Sequence, residues 1–163
     1  WYGGWNNTVS YKNFDLNVFF RFSGGNKIMN ASRQSALFNM DFSNNGTEIL
    51  GRWISPEQPG DGMTPKIGYG DASSLFNNGY TDSHFVESGN YLKLSTLALG
   101  YTLPKAVVSK LNMTKIRFYV QGQNLLTITG YSGLDPETNS RLGVDWNGMP
   151  QQRSFTFGAN ITF

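Results

Sequence analysis

The side chains that could carry acid–base or nucleophilic chemistry are few, and their spacing suits it poorly. Asp135 and Glu137 share the run Asp135-Pro136-Glu137. Two carboxylates catalyse hydrolysis when they flank a bond at a set separation. Asp-Pro in a loop is ordinary turn chemistry, and the turn reading is the simpler one. His84 is the single histidine and has no nucleophile partner with which to build a triad. One histidine and no cysteine leave no histidine-rich metal centre, thiolate site or disulfide framework. Gly68-Tyr69-Gly70 lacks the strand-to-helix context of a phosphate loop. The Asn-x-Ser/Thr matches, Asn30 and Asn45 among them, are what an Asn-rich chain yields by chance. No catalytic residue, metal or cofactor is expected, and the chain does not read as an enzyme.

Binding chemistry is better represented. Trp53, Tyr69, Tyr80, Tyr131 and Trp146 lie in two long stretches that also carry Asn, Asp and Gln. An aromatic face stacks on the apolar face of a sugar ring while fixed polar groups hold its hydroxyls. These five are therefore the candidate substrate contacts. The competing reading has the same rings packing the loops together or against another protein. Within residues 28–42, Met29, Leu37, Phe38 and Met40 have the spacing of a short amphipathic helix.

The elements that must position these residues are strands. Aromatics make up 15% of the 163 residues, glycine contributes 19, and charged residues reach only 15%, against about a quarter in a typical domain. That balance fits strands joined by turns. A net charge of +2 with no Lys/Arg run gives no reason to expect a nucleic-acid partner. No stretch approaches the roughly 20 apolar residues of a membrane helix. A mean hydropathy of −0.37 is still compatible with a membrane barrel, whose strands alternate lipid-facing and lumen-facing residues. The chain begins at Trp1 without an initiator Met or signal peptide, which predicts a segment of a longer polypeptide.

Five strands are predicted, over residues 5–11, 14–23, 91–103, 115–124 and 154–163. The last is the clearest: Phe155, Phe157, Ala159, Ile161 and Phe163 share one face, and Ser154, Thr156, Gly158, Asn160 and Thr162 the other. Ten such residues suffice for a tilted strand to cross a bilayer. Phe155, Phe157, Ile161 and Phe163 are thus expected to anchor the strand in lipid. Arg21, Arg117, Tyr119, Gln121 and Gln123 take the opposite parity and are expected to face a lumen or a plug within it. In residues 91–103 the parity of Leu92 and Leu94 differs from that of Leu97, Leu99 and Tyr101; a bulge would explain the switch.

The connections are sorted. Lys12–Asn13 and Pro104–Thr114 are short, and residues 105–111 suit a helical turn after the Pro104 stop. The other two connections, about residues 24–89 and 125–153, are long. In an up-and-down meander alternate connections fall on one side, which places short turns opposite long loops. That is the arrangement of outer-membrane barrels, with short periplasmic turns and long extracellular loops. Trp5, Tyr11 and Tyr101 would join the aromatic girdles. The expected fold is all-β, antiparallel and up-and-down. Residues 1–163 are read as the C-terminal portion of a large transmembrane barrel in the outer membrane; five strands cannot close one, so the remaining strands would come from the rest of a longer polypeptide or from other chains. A soluble carbohydrate-binding or adhesion β-domain is the alternative from another class, and a passive porin the alternative within membranes.

Several blocks carry a resemblance. They are Phe85-Val86-Glu87-Ser88-Gly89-Asn90-Tyr91-Leu92-Lys93-Leu94, continuing through Leu97 to Pro104, then Arg117-Phe118-Tyr119-Val120-Gln121-Gly122-Gln123-Asn124-Leu125, Gly130-Tyr131-Ser132-Gly133-Leu134-Asp135-Pro136-Glu137, and Pro150 through Phe163. In order and content they resemble the SusC/RagA family of TonB-dependent outer-membrane transporters. The resemblance implies a barrel of about 22 strands with a plugged lumen and a SusD-type surface lipoprotein as lid. It implies energised import of oligosaccharides or, in some members, peptides. The plug domain, the TonB-contacting segment and the remaining strands would then precede Trp1, so TonB coupling falls to no residue of this chain.

Overall fold

Period-two alternation produces strands where the sequence predicts them. The computed structural model describes residues 1–38, 44–66, 83–137 and 142–163. In chain order the elements are β1 (Tyr2–Tyr11), β2 (Phe14–Ser23), β3 (Lys27–Asn30), α1 (Ala31–Phe38), β4 (Val86–Ser88) and β5 (Tyr91–Thr102). They continue with α2 (Lys105–Val108), β6 (Lys115–Thr129), β7 (Val144–Asp145) and β8 (Ser154–Thr162). Two compact units share these elements. One comprises Trp1–Asn26, Gly89–Gly130 and Pro150–Phe163; the other comprises Lys27–Ser88 and Tyr131–Met149.

The first unit is a five-stranded antiparallel sheet in the order β1-β2-β5-β6-β8. Its register sorts side chains by face across every strand. Val9, Leu16, Leu99, Val120 and Phe157 form one continuous row. Tyr11, Phe14, Tyr101 and Phe118 form another, next to the short connections, with the Phe14 and Tyr101 rings 4.7 Å apart. Towards the opposite end Trp5 stacks on Phe20 at 5.8 Å. Mostly aliphatic rows thus lie between aromatic ones on a single face, with Asn7 beside Val18 within them.

The parity switch in β5 is a bulge. Phe19 pairs with Thr96 and Phe20 with Leu94, leaving Ser95 as the extra residue. On the other side Asn124 and Leu125 oppose that same Ser95, and Asn124 adopts φ 52° to turn the backbone there. The extra residue restores Leu92 and Leu94 to the face of Leu97 and Leu99, in line with Phe20 and Phe22. Buried hydrophobic side chains in this unit are confined to Val108 and Ile116 among the described residues. No second sheet of this unit covers the apolar face, as a sandwich would. The sheet is also open: β1 and β8 are both edges, and the described strands do not close into a barrel.

At the short-connection end, β1 turns into β2 at Lys12, which takes φ 54°. After Thr102, Pro104 precedes the first turn of α2 with φ −58°, where its missing N–H costs nothing. A single 3-10 turn (Ser109–Leu111) follows and ends at Asn112 in the left-handed conformation.

The second unit has its own small core. β3 pairs antiparallel with β4 and parallel with β7. Met29, Ile49 and Phe85 cluster with Val144 against them, and Ile28 is fully buried. The helix expected within residues 28–42 therefore begins later: Ile28 and Met29 belong to β3, and α1 starts at Ala31. Asn30 decides the boundary, since its Oδ1 accepts the Arg33 N–H at 2.9 Å and caps the helix. Met40 lies outside the described residues.

Candidate functional site

Two polar surfaces can contact something other than lipid or core. The first is the polar face of the sheet. Asp15 and Gly100 are cross-strand partners, and Gly100 faces Tyr119 on its other side. The Arg117 guanidinium reaches over Gly100 from β6 to β2 and donates from Nε and Nη2 to the Asp15 carboxylate at 2.9 and 2.5 Å. A Cβ at Gly100 would meet both Arg117 and Asp15, so glycine there opens the path for the bridge. The Tyr119 ring covers Gly158 on the edge strand, where a Cβ would lie 2.5 Å from it; an aromatic laid over an edge glycine also pins register. Gln121 and Gln123 follow Tyr119 on the same face, opposite Thr156 and Ser154, and Arg21 pairs across with Lys93. The five residues expected to face a lumen or plug share this one face.

The second surface belongs to the loop unit. Arg33 is its hub, donating from Nε to Glu48 Oε2 at 3.0 Å and from Nη2 to the other Glu48 oxygen. Its Nη1 donates to the His84 carbonyl at 3.2 Å and to Glu87 at 3.4 Å. Glu87 also accepts the Ser132 N–H at 2.8 Å, the Ser132 hydroxyl at 2.7 Å and the Asn30 amide at 3.2 Å. Burial alone would push the Glu87 carboxyl up, but these donors and the Arg33 charge outweigh it and leave it below the ordinary glutamate value. The hydrogen bond from Arg33 likewise holds Glu48 down, against a smaller opposing effect of burial. Next to this network lies a cavity of about 400 Å³ lined by Asn30, Ser32, Arg33, Glu48, Leu134 and Asn147, among others. A smaller one of about 180 Å³ shares Ser32 and Asn147 with it and is walled by Trp146.

The expected substrate contacts are placed unequally. Trp146 is 73% exposed at the rim of the smaller cavity. Trp53 is half-buried, with the Lys66 ammonium 5.8 Å from its ring centre. Tyr131 is only 6% exposed; its hydroxyl donates to Asp145 at 2.6 Å. Burial, then that hydrogen bond, pushes the phenol well above its usual range. In this conformation it packs the loop and presents no open ring face. Tyr69 and Tyr80 lie outside the described residues, as does Gly68-Tyr69-Gly70. Asp135 accepts the Glu137 N–H at 3.0 Å, the turn chemistry expected of Asp-Pro-Glu. His84 packs edge-on against Phe85 at 4.8 Å and lies 3.4 Å from Arg33 Nη2. Sequence reasoning missed the Arg33–Glu48–Glu87–Ser132 network. Asn30 followed by a helix start is the one local signal for it. Its other members come together only through tertiary pairing.

No family model matches the sequence. Individual relatives do. TonB-dependent receptor P3 of Formosa agariphila is 33% identical over 98% of this chain, and TonB-dependent receptor SusC of Bacteroides thetaiotaomicron is 26% identical over 98%. The chain spans 16% and 15% of the lengths of these relatives. Among solved structures, the RagAB peptide transporter superposes with a TM-score of 0.83 at 27% identity, over 99% of this chain and 17% of that one. The RagAB peptide importer in its open-open state gives 0.79 at 26% identity, again over 99% and 17%. These relatives, the sheet and its sorted connections agree: the chain belongs to the SusC/RagA family of TonB-dependent outer-membrane receptors, a family of transporters rather than enzymes.

Proposed function

We propose that this chain is the C-terminal wall and part of the external vestibule of a TonB-dependent importer of nutrient oligomers. The observation that carries the reading is the apolar face of the five-stranded sheet, which continues across all five strands with Asn7 as a polar side chain within it. Its aromatic rows bracket aliphatic ones, and the chain leaves for its two long insertions at one end only. In lipid every backbone group must be paired, so strands with open edges at β1 and β8 require neighbours. We take those neighbours to be the other strands of a barrel of about 22, closed around a plug that meets Arg21, Arg117, Tyr119, Gln121 and Gln123. TonB would act through the plug-bearing N-terminal part. The loop unit would meet substrate and a SusD-like lipoprotein of the kind the SusC and RagAB relatives suggest.

Glycan is the leading substrate class: Trp146 offers an open ring face beside Asn147 and Ser32, the pairing a sugar ring needs. Peptide is the second reading, favoured by the likeness to the RagAB peptide transporter. The test uses the full-length receptor. Phe157, in the central row and 78% exposed, should tolerate arginine poorly: Phe157→Arg should cost about 2–4 kcal/mol near the bilayer midplane. Asn160→Gln, on the polar face, should be mild. Equal, small effects on the heat-resistant folded form would remove the basis of the barrel reading. Binding of defined oligosaccharides and peptides, with and without Trp146→Ala, then separates the two substrate classes.

A further inference from the structure

The connection between β5 and β6 is more than a turn, and the long loops leave its chemistry unexplained. Lys105–Val108 is helical and continues into the 3-10 turn Ser109–Leu111. Val108 is buried. Val107 and Leu111, one helical turn apart and on one side, are 45% and 53% exposed. Lys105 and Lys110 flank them and are exposed. The Thr102 N–H donates to the Asn13 carbonyl at 2.8 Å, so this connection begins beside the β1–β2 turn and its Lys12. The Lys12 ammonium sits 5.3 Å from the Tyr11 ring centre, and Tyr11 begins the Tyr11–Phe14–Tyr101–Phe118 row on the apolar face. Among the described residues none of these three lysines forms a salt bridge.

An aromatic row, two exposed aliphatic side chains and three ammonium groups without carboxylate partners gather at this end of the sheet, the set of side chains a membrane interface takes. We propose that this end of the sheet is an interfacial anchor that binds anionic phospholipid headgroups. Val107 and Leu111 enter the acyl boundary, and Lys105, Lys110 and Lys12 contact lipid phosphates. The aliphatic stems of the lysines lie along the apolar surface while their charges reach the phosphate level. Charge complementarity selects the partner: three cations without carboxylate partners fit phosphatidylglycerol better than a zwitterionic lipid. The inference rests on the outer-membrane reading, with the short connections periplasmic.

The experiment uses the full-length receptor in vesicles of phosphatidylethanolamine alone or mixed with phosphatidylglycerol, and native mass spectrometry of the lipids it retains. Each lysine near an anionic surface contributes about fivefold in affinity. Lys105→Glu with Lys110→Glu should therefore lower phosphatidylglycerol retention by at least about 25-fold, leave phosphatidylethanolamine retention unchanged and preserve the heat-resistant fold. Lys66→Glu, a loop lysine, should leave both unchanged. Added salt should weaken the wild-type preference. Unchanged phosphatidylglycerol retention in the double variant would overturn the proposal and leave this face to a periplasmic protein. Equal loss with Lys66→Glu would also overturn it, as would soluble glycerol phosphate binding as tightly as the lipid. A full-length receptor that inserts into neither vesicle type would instead refute the outer-membrane reading itself.

Discussion

Glu87 shows how much one loop carboxylate can hold together. It joins Ser132 to Asn30 and Arg33, residues far apart in sequence. Its pKa and that of Glu48 are both lowered from the ordinary 4.5. A carboxyl whose folded value lies below its unfolded one adds stability that is complete above about pH 4.5 and lost as pH falls through the folded value. The loop unit should therefore hold at neutral pH and loosen progressively as pH falls below about 4.5. Amide exchange at Ser132, corrected for the intrinsic pH effect, should rise there, and Glu87→Gln should flatten the dependence. Exchange at Ser132 that ignores both acid and the substitution would mean that Glu87 does not hold this loop. Tyr131 marks the limit of reasoning from residue type: an aromatic in a polar loop suggests a ligand contact, yet its phenol is buried on Asp145.

Among the elements, β5 departs most from regularity. In an unbroken strand Leu94 and Thr96 would share a face; with Ser95 bulged, Leu94 joins Leu97. Arginine at Leu94 and at Leu97 should therefore both impair assembly of the full-length receptor, by up to about 2–4 kcal/mol at the midplane and less nearer the interface. Thr96→Arg should be tolerated. Urea unfolding of receptor refolded in vesicles ranks the three, and a large penalty at Thr96 with none at Leu94 would exclude the bulged register. α1 shows a complementary boundary effect. Apolar spacing alone starts the helix near Ile28, but pairing of β3 with β4 and β7 claims residues 27–30 first, and the Asn30 cap sets the start.

For the whole molecule the decisive feature is what the sheet leaves uncovered. Large apolar side chains stand out on one face and two edge strands present unpaired backbone groups, a combination that invites edge-to-edge association in water. The 163-residue chain alone should remain associated without detergent, as seen by light scattering on a sizing column. A folded monomer in plain buffer would return the soluble β-domain to consideration. Length bears on the same point. β1 and β2 have 10 residues and β8 has 9, matching the span of a tilted strand through a bilayer. β6 runs to 15, so its far end extends past the pairing with β8.

Strands, their faces and the sorting of connections were legible in the sequence because period-two alternation and turn residues are local. Ser154–Thr162, Phe14–Ser23 and the placement of Arg117, Tyr119, Gln121 and Gln123 needed only parity, and the Asp135-Pro136-Glu137 turn only local hydrogen bonding. The bulge was legible as a parity switch, though its position at Ser95 required the register of both neighbours. What pairing over long sequence separations decides could not be read locally. That covers the strands β3, β4 and β7, the Arg33–Glu87–Ser132 network, the burial of Tyr131 and the bridge of Arg117 over Gly100. Each depends on backbone segments from 14 to 102 residues apart meeting at one place, and no local propensity encodes that meeting.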